Sequence, residues 1–257
     1  MKQNSEHGQL LSAITDYWSN RAQGYSDVNV EELQSLKRQQ WQEAILAQAP
    51  SDGRQLNVLD IGTGPGFFAI IMAQAGHRVT AVDATEKMLM QARQNAANYD
   101  VAIEFVQSDV HTLPFEDEQF DLIVTRNVTW NLANPAQAYD EWHRVLKKGG
   151  RLINFDANWY LYLFDNKLRE QFEQDRAATQ RLNIPDHYAD TDTAAMETIA
   201  RRLPLSRERR PQWDLNTLLQ IGYRRLLVDT KIGETLWDEA EKINYRSTPM
   251  FMVIAQK

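Results

Sequence analysis

Short apolar segments recur along residues 58–155, and polar or helix-forming stretches separate them. Strands that alternate with helices form right-handed β-α-β units, which bind ligands at the carboxyl ends of their strands. The pattern predicts an α/β fold around a parallel sheet that is buried on both faces. Its five predicted strands cover residues 58–61, 78–83, 103–106, 121–125 and 151–155.

The hydrophobic pattern changes on either side of this region. Residues 30–48 place their apolar side chains on one half of a helical wheel, which predicts a helix leading into the first strand. Residues 157–211 are charged and aromatic-rich without a strand pattern, and they are too many for a loop in a compact sheet domain. We predict a helical cap there, inserted after the fifth strand. A helix over residues 213–221 and closing strands over 223–232 and 249–256 follow.

Composition limits the classes of partner. The chain has 257 residues, 43% of them hydrophobic, which is enough for one large domain or a domain with an inserted cap. Its formal net charge of −7 disfavours nucleic acid, because phosphate backbones attract clustered Lys and Arg. The sequence has no cysteine, and its five histidines lack zinc-site spacing, so we predict no metal site.

The same composition gives expectations about location and assembly. The N-terminus lacks an apolar signal-peptide core, and no run approaches the roughly 18 apolar residues of a membrane span. We therefore expect a cytoplasmic protein, monomeric or homodimeric, whose partner is a small molecule and not a membrane.

A glycine-rich turn follows the first predicted strand. Gly62, Gly64 and Gly66 permit backbone angles and close approach that a Cβ forbids, and the next helix points its first N–H groups back at the turn. Asp83 lies 21 residues after Gly62, where a carboxylate accepts hydrogen bonds from ribose hydroxyls. The third glycine comes one residue too early for the dinucleotide pattern G-x-G-x-x-G, so the turn predicts a nucleoside more than a pyrophosphate.

Five motifs follow one another along the chain. They are V-L-D-I-G-T-G-P-G at 58–66, V-T-A-V-D-A-T at 79–85, S-D-V at 108–110, F-D-L-I-V-T-R-N at 120–127 and R-V-L-K-K-G-G-R-L at 144–152. With them, residues 55–156 resemble the class I S-adenosylmethionine-dependent methyltransferases of the small-molecule type, with a methyltransferase-11-like domain. The resemblance implies a Rossmann-like, doubly wound seven-stranded sheet, mostly parallel with an antiparallel last strand. We accordingly divide the chain into N-terminal lid helices (1–50), a cofactor-binding domain (51–156 and 212–257) and the helical cap (157–211).

The resemblance also implies a cofactor, S-adenosyl-L-methionine, with S-adenosyl-L-homocysteine as product. It puts Gly62, Thr63 and Gly64 beside the amino-acid part of the cofactor, and Asp83 on its ribose. It also puts Ala84 and Met88 beside the adenine, and Asp109 and the Val110 backbone at the adenine amino group. Asn127 is expected to face the sulfonium. The lid contributes Tyr17, Arg21 and Tyr25, of which Arg21 or a tyrosine is expected to hold the cofactor carboxylate.

Candidate acceptor residues follow the fourth and fifth predicted strands. Asn127, Trp130 and Asn131 are expected to position the nucleophile. Asp156 and the aromatic residues Trp159, Tyr160 and Tyr162 are expected to surround a cationic amine or the sulfonium, although such aromatic clusters also form cores.

The histidines and the clustered arginines indicate functional roles less strongly than the motifs do. His187, in the cap, is the best candidate for a proton acceptor, although a lone histidine is more often structural. We expect His111 and His143 to be packing or surface residues. A basic run contains Arg201, Arg202 and the arginines of 207–210. In one interpretation it is a solvated helix face, and in the other a single arginine of the run binds a substrate carboxylate or phosphate.

The expected reaction is in-line transfer of the sulfonium methyl group to N, O or S of a small acceptor. Two alternatives stay open. One is an NAD(P)-type Rossmann oxidoreductase. The other is a non-catalytic S-adenosylmethionine-binding regulatory module whose cap serves a partner.

Overall fold

A seven-stranded sheet in the order β3-β2-β1-β4-β5-β7-β6 forms the centre of the molecule. The computed structural model describes residues 2–50, 53–189 and 191–257. The strands are β1 (Asn57–Ile61), β2 (Arg78–Asp83), β3 (Ile103–Gln107), β4 (Phe120–Arg126), β5 (Leu146–Asp156), β6 (Arg224–Asp229) and β7 (Phe251–Gln256). β7 pairs antiparallel with β5 and β6, and the pairs among β1 to β5 are parallel. The predicted fold class is confirmed.

Ten α-helices belong to the described residues. They are α1 (Lys2–Gln34), α2 (Lys37–Leu46), α3 (Phe67–Gln74), α4 (Glu86–Asn98), α5 (Pro135–Val145), α6 (Asn166–Leu182), α7 (Thr193–Ala200), α8 (Gln212–Ile221), α9 (Ile232–Leu236) and α10 (Glu239–Asn244). The single helix predicted over residues 30–48 is wrong, since the chain breaks between α1 and α2. At the break the Ser35 hydroxyl donates to the Glu32 carbonyl and accepts from the Lys37 N–H, so a side chain replaces part of the helical hydrogen bonding.

Alternate residues of the central strands face opposite layers of helices. Val58 and Leu122 pack with α2 and α3, whereas Leu59 and Ile123 pack with α5 and α8. All four are fully buried. A parallel sheet covered on both faces therefore explains the continuous apolar runs of its strands.

Several element ends differ from their predicted positions. β5 begins at Leu146 and not at Arg151, because Leu146 pairs with Phe120 of β4 and because Gly149 and Gly150 exchange backbone hydrogen bonds with Lys257, directly after β7. The closing strand predicted over 223–232 is the shorter β6. Asn134 caps α5 as the sequence predicts, with its side chain accepting from the Gln137 N–H.

Helices α6 and α7 lie within residues 157–211, and α7 packs against α1. Leu10 and Ile14 of α1 meet Met196 and Ile199 of α7 in one apolar cluster, which also contains Trp130. Ser51, the start of our cofactor-binding domain, lies outside the described residues. Among the described helices, none has the length and apolar content needed to cross a bilayer.

Candidate active site

A cavity of about 250 Å³ lies at the carboxyl ends of the parallel strands, between the sheet, α1 and the cap. The residues predicted for the site come together there from distant parts of the sequence. Those that line it are Tyr17, Arg21, Tyr25, Gly62, Gly64, Asp83, Ala84, Met88, Asp109, Val110, Asn127, Trp130, Asn131 and His187. Thr63 and Asp156 do not.

The glycine turn forms one wall of the cavity in a conformation that depends on its glycines. Gly62 and Gly64 have φ angles of 64° and 53°, in the left-handed region. A Cβ on Gly62 would also collide with the Val128 side chain. On Gly64, a Cβ would reach to 3.5 Å from the Tyr25 ring and fill space at the cavity edge.

Two backbone N–H groups hold the Asp83 carboxylate at the end of β2. Asp83 Oδ2 accepts from Gly64 N at 2.9 Å, and Oδ1 accepts from Thr85 N at 2.8 Å. Burial raises the pKa of Asp83, although these hydrogen bonds oppose the shift. An ionised carboxylate has about four acceptor positions, so each oxygen keeps capacity for a hydroxyl donor. Thr85 is the N-cap residue of α4, but its side chain makes no capping bond.

His111 fixes Asp109 on the same side of the cavity. The His111 N–H donates to Asp109 Oδ1 at 3.0 Å, and its ring Nδ1 contacts the same oxygen. His111 Nε2 accepts from the Asn134 N–H at 3.2 Å, so the ring proton belongs on Nδ1 and is donated to Asp109. His111 is 3% exposed, as expected for a packing residue, and it also lines the cavity and orients this carboxylate.

The side chain of Thr63 turns away from the main cavity. Its hydroxyl donates to Asp60 Oδ2 at 2.6 Å, and the Ala69 N–H donates to the same oxygen at 2.9 Å. Burial raises the pKa of Asp60 to about 7. Thr63 therefore holds the base of the turn through Asp60, and its place beside the amino-acid part of the cofactor stays a prediction.

Arg126, at the end of β4, anchors α1 beside the cavity. Its guanidinium forms a two-pronged ion pair with Glu32 at 2.8 and 3.0 Å, and the side chains are 12% and 11% exposed. The same group lies over the rings of Trp41, Phe67 and Phe68, 4.7 to 5.4 Å from their centres. We assigned Arg126 no role from sequence, because nothing in the pattern pairs it with Glu32.

Asn127 and the 3-10 turn Thr129–Asn131 form the floor next to the predicted reaction centre. Asn127 has a φ of 59°; its N–H donates to the Phe155 carbonyl, and its own carbonyl accepts from the Trp130 indole at 2.8 Å. Within the described part of the chain, Asn127 Oδ1, Asn131 Oδ1 and Trp159 Nε1 are buried without a hydrogen-bond partner. All three residues line the cavity.

Asp156 is not a catalytic residue in this arrangement. It is fully buried, and Oδ2 accepts from Thr129 Oγ1 at 2.6 Å, the Trp130 N–H at 3.0 Å and Arg210 Nη1 at 2.7 Å. Arg210 also pairs with Asp214, and neither it nor Asp156 reaches the cavity. Asp156 therefore positions the 3-10 turn, and Arg210 is an internal partner and not a substrate ligand.

Aromatic side chains cover the opposite side of the cavity. Tyr160 lies 5.0 Å from Trp130, and Trp159 lies 5.3 Å from Tyr245, between ring centres. His187 Nδ1 is 3.0 Å from the Tyr245 hydroxyl, and burial lowers the pKa of His187, so the imidazole is neutral at pH 7. Tyr245 was missed, because it follows α10 near the end of the chain, far from every recognised motif.

Comparison with known proteins agrees with this geometry. Residues 59–154 match the methyltransferase domain family. The chain is 37% identical to a demethylmenaquinone methyltransferase of Clavibacter sepedonicus over 42% of each protein. It is also 37% identical to an arsenite methyltransferase of Halobacterium salinarum over 44% of this chain and 29% of that one. The match thus spans less than half of each relative.

A solved structure shares the whole architecture. An S-adenosylmethionine-dependent methyltransferase from Aquifex aeolicus superposes with a TM-score of 0.53 and 19% identity, over 88% of this chain and 95% of that one. At this identity the superposition establishes the fold. Residues 59–154 therefore match a methyltransferase domain, and the chain shares the fold of an S-adenosylmethionine-dependent methyltransferase.

Proposed function

We propose that this protein transfers the methyl group of S-adenosylmethionine to N, O or S of a small-molecule acceptor. The observation that carries the proposal is the Asp83 carboxylate, which Gly64 and Thr85 hold at the cavity edge with acceptor capacity left for ribose hydroxyls. The Asp109–His111 pair gives a second, oriented acceptor on the same side.

The cavity residues fit this cofactor from one end to the other. Asp83 would bind the ribose, and the amino-acid part would lie against the turn that lacks Cβ atoms at Gly62 and Gly64. The adenine would be held by Ala84, Met88, Asp109 and Val110, and the carboxylate end by Tyr17, Arg21 and Tyr25 of α1. Asn127 Oδ1, which is buried and without a partner among the described residues, suits a site beside a cationic sulfonium.

The cofactor supplies an activated methyl group, so the chain's own residues mainly align the acceptor and exclude water. Alignment of this kind accounts for roughly 7–11 kcal/mol in favourable intramolecular cases. Neutral His187 is the proposed proton acceptor. With its Nδ1 proton donated to Tyr245, its Nε2 takes the proton of an acceptor that arrives protonated.

The two alternatives predict different ligands. An oxidoreductase needs a pyrophosphate at the turn, which the early third glycine disfavours. A regulatory module needs the same nucleoside site but no acceptor. The unpaired polar atoms of Asn131 and Trp159, which the cofactor does not use in this proposal, favour a second ligand and therefore catalysis. The limited volume of the cavity, about 250 Å³, and the net charge of −7 favour a small acceptor over nucleic acid.

The test is incubation of the protein and methyl-labelled S-adenosylmethionine with a metabolite extract, followed by mass spectrometry. We expect labelled small molecules that are absent without the protein. Cofactor binding without any labelled product would favour the regulatory module and contradict the proposed transfer.

A further inference from the structure

The acceptor side of the cavity contains two buried polar atoms that no described residue satisfies. Asn131 is 8% exposed, and its Oδ1 has no hydrogen-bond partner in the described part of the chain. The same holds for the Trp159 indole Nε1. Buried polar groups in folded proteins are nearly always paired, and an unpaired one costs free energy that a ligand can recover. One atom accepts a hydrogen bond and the other donates one.

Flat, uncharged aromatic rings line the same cavity. They belong to Trp130, Trp159, Tyr160, Tyr188 and Tyr245. Burial raises the pKa of Tyr160, Tyr188 and Tyr245, so their hydroxyls stay protonated. Rings of this kind bind planar molecules by stacking and edge contact.

Charged groups lie elsewhere in the cavity. Among the described lining residues, the carboxylates are Asp83 and Asp109, which the nucleoside would occupy. The arginines are Arg21, which the cofactor carboxylate would occupy, and Arg126, which is already paired with Glu32. A charged acceptor would therefore enter the site without an opposite charge from these residues, and a cationic one would also approach a sulfonium.

We propose that the acceptor is a neutral, planar aromatic molecule that carries a hydroxyl or ring N–H group at its edge. Its donor meets Asn131 Oδ1, its acceptor meets Trp159 Nε1, and the aromatic side chains contact its ring faces. This inference rests on the proposed function, because it places the molecule beside a bound cofactor.

The test is calorimetric titration of simple probes into the protein saturated with S-adenosylhomocysteine. The probes are catechol, 2-naphthol and 4-hydroxyquinoline, up to about 1 mM, where even a millimolar site is half filled. cis-Cyclohexane-1,2-diol controls for the hydroxyls without a π face, and phenyltrimethylammonium for a cationic ring. We expect at least one aromatic probe to bind about tenfold more tightly than either control.

Two variants test whether Asn131 and Trp159 contact the bound probe. Asn131→Leu removes the acceptor at similar volume, and Trp159→Phe removes the N–H but keeps a ring. Each is expected to weaken the best probe about five- to tenfold, the loss expected for one hydrogen bond, and to leave S-adenosylhomocysteine affinity unchanged. Trp213→Phe, at a half-buried position outside the cavity, is the matched control.

The outcomes separate the two proposals. If wild-type protein does not bind S-adenosylhomocysteine, the proposed function fails. If it does, and no aromatic probe binds or the cationic control binds best, the aromatic acceptor is contradicted while the proposed function stands. Unchanged probe affinity in both variants would contradict the Asn131 and Trp159 contacts.

Discussion

Asp60 is a carboxylic acid enclosed beneath the glycine turn, with only 2% of its surface exposed. Burial raises its pKa to about 7 from 3.8, against the opposing hydrogen bonds from Thr63 and Ala69. The folded protein therefore holds this proton more tightly than the unfolded chain. The stabilisation from this group is complete below pH 3.8 and is lost as the pH rises to about 7.

Replacement of Asp60 by a residue that cannot titrate is expected to abolish this loss of stability with rising pH. In Asp60→Asn, the amide oxygen still accepts from Thr63 and Ala69. Between pH 4.5 and pH 7.5, the free energy of unfolding of the variant should rise relative to wild type by on the order of 2–4 kcal/mol. Urea unfolding of both proteins at the two pH values measures this change. A difference that is constant with pH would contradict the raised pKa.

Gly62 combines a left-handed backbone with a steric conflict that a Cβ would create at Val128. Gly76 also has a left-handed φ, of 87°, but a Cβ there meets nothing within 4 Å. Gly76→Ala is expected to lower the free energy of unfolding by about 1 kcal/mol, and Gly62→Ala by about 1–3 kcal/mol more.

Chemical denaturation of the two variants measures both effects. The second substitution Val128→Ala should restore part of the stability of Gly62→Ala, because it removes the atoms in conflict. Equal losses for Gly62→Ala and Gly76→Ala would show that only the backbone conformation matters.

At the scale of elements, the Arg126–Glu32 ion pair fastens α1 to the end of β4. Glu32→Gln would leave the guanidinium enclosed without its charge partner, so we expect a loss of about 3–5 kcal/mol of stability. Asp27→Asn on the same helix changes an exposed carboxylate and should be nearly neutral. Urea unfolding compares them, and equal effects of the two substitutions would contradict the anchoring role of Glu32.

The 3-10 turn Thr129–Asn131 depends on a second buried pair. Asp156→Asn leaves Arg210 with Asp214 as its remaining carboxylate, and we expect a loss of about 3–5 kcal/mol in unfolding free energy. Because Asp156 contacts the turn and not the cavity, S-adenosylhomocysteine affinity should be unchanged in the folded variant. A selective loss of cofactor affinity at full stability would assign Asp156 to the cofactor site instead.

The bounds of the strands and helices could be predicted from the sequence only in part. Strand positions follow from apolar runs, and the β2 bounds agree with the predicted 78–83 because Asp83 ends the run at the cavity. The break at Ser35 could not be predicted, since it depends on a side-chain hydrogen bond within a continuous helical pattern. The early start of β5 was missed for a similar reason, because its partner at Lys257 is distant in sequence.

At the scale of the whole molecule, the cavity joins the sheet edge with α1 and the cap. The sheet-edge residues could be predicted because a parallel sheet brings the ends of its strands together. Trp159, Tyr160 and His187 could be named as candidates only, and Tyr245 not at all, because their meeting depends on packing between separate helices. The same limit explains Asp156, whose position at the end of β5 suggested a role in the site, although its side chain is paired internally with Arg210.

The central claim is that this cavity binds S-adenosylmethionine through Asp83, and isothermal titration calorimetry tests it most directly. S-adenosylmethionine, S-adenosylhomocysteine and NADH are titrated into wild type, Asp83→Ala and the exposed control Asp140→Ala. We predict that wild type and Asp140→Ala bind both adenosyl compounds but not NADH. Asp83→Ala should lose about 1–3 kcal/mol of binding free energy, the cost of unpaired ribose hydroxyls. NADH binding without an adenosyl signal, or an Asp83→Ala affinity equal to wild type, would contradict the account.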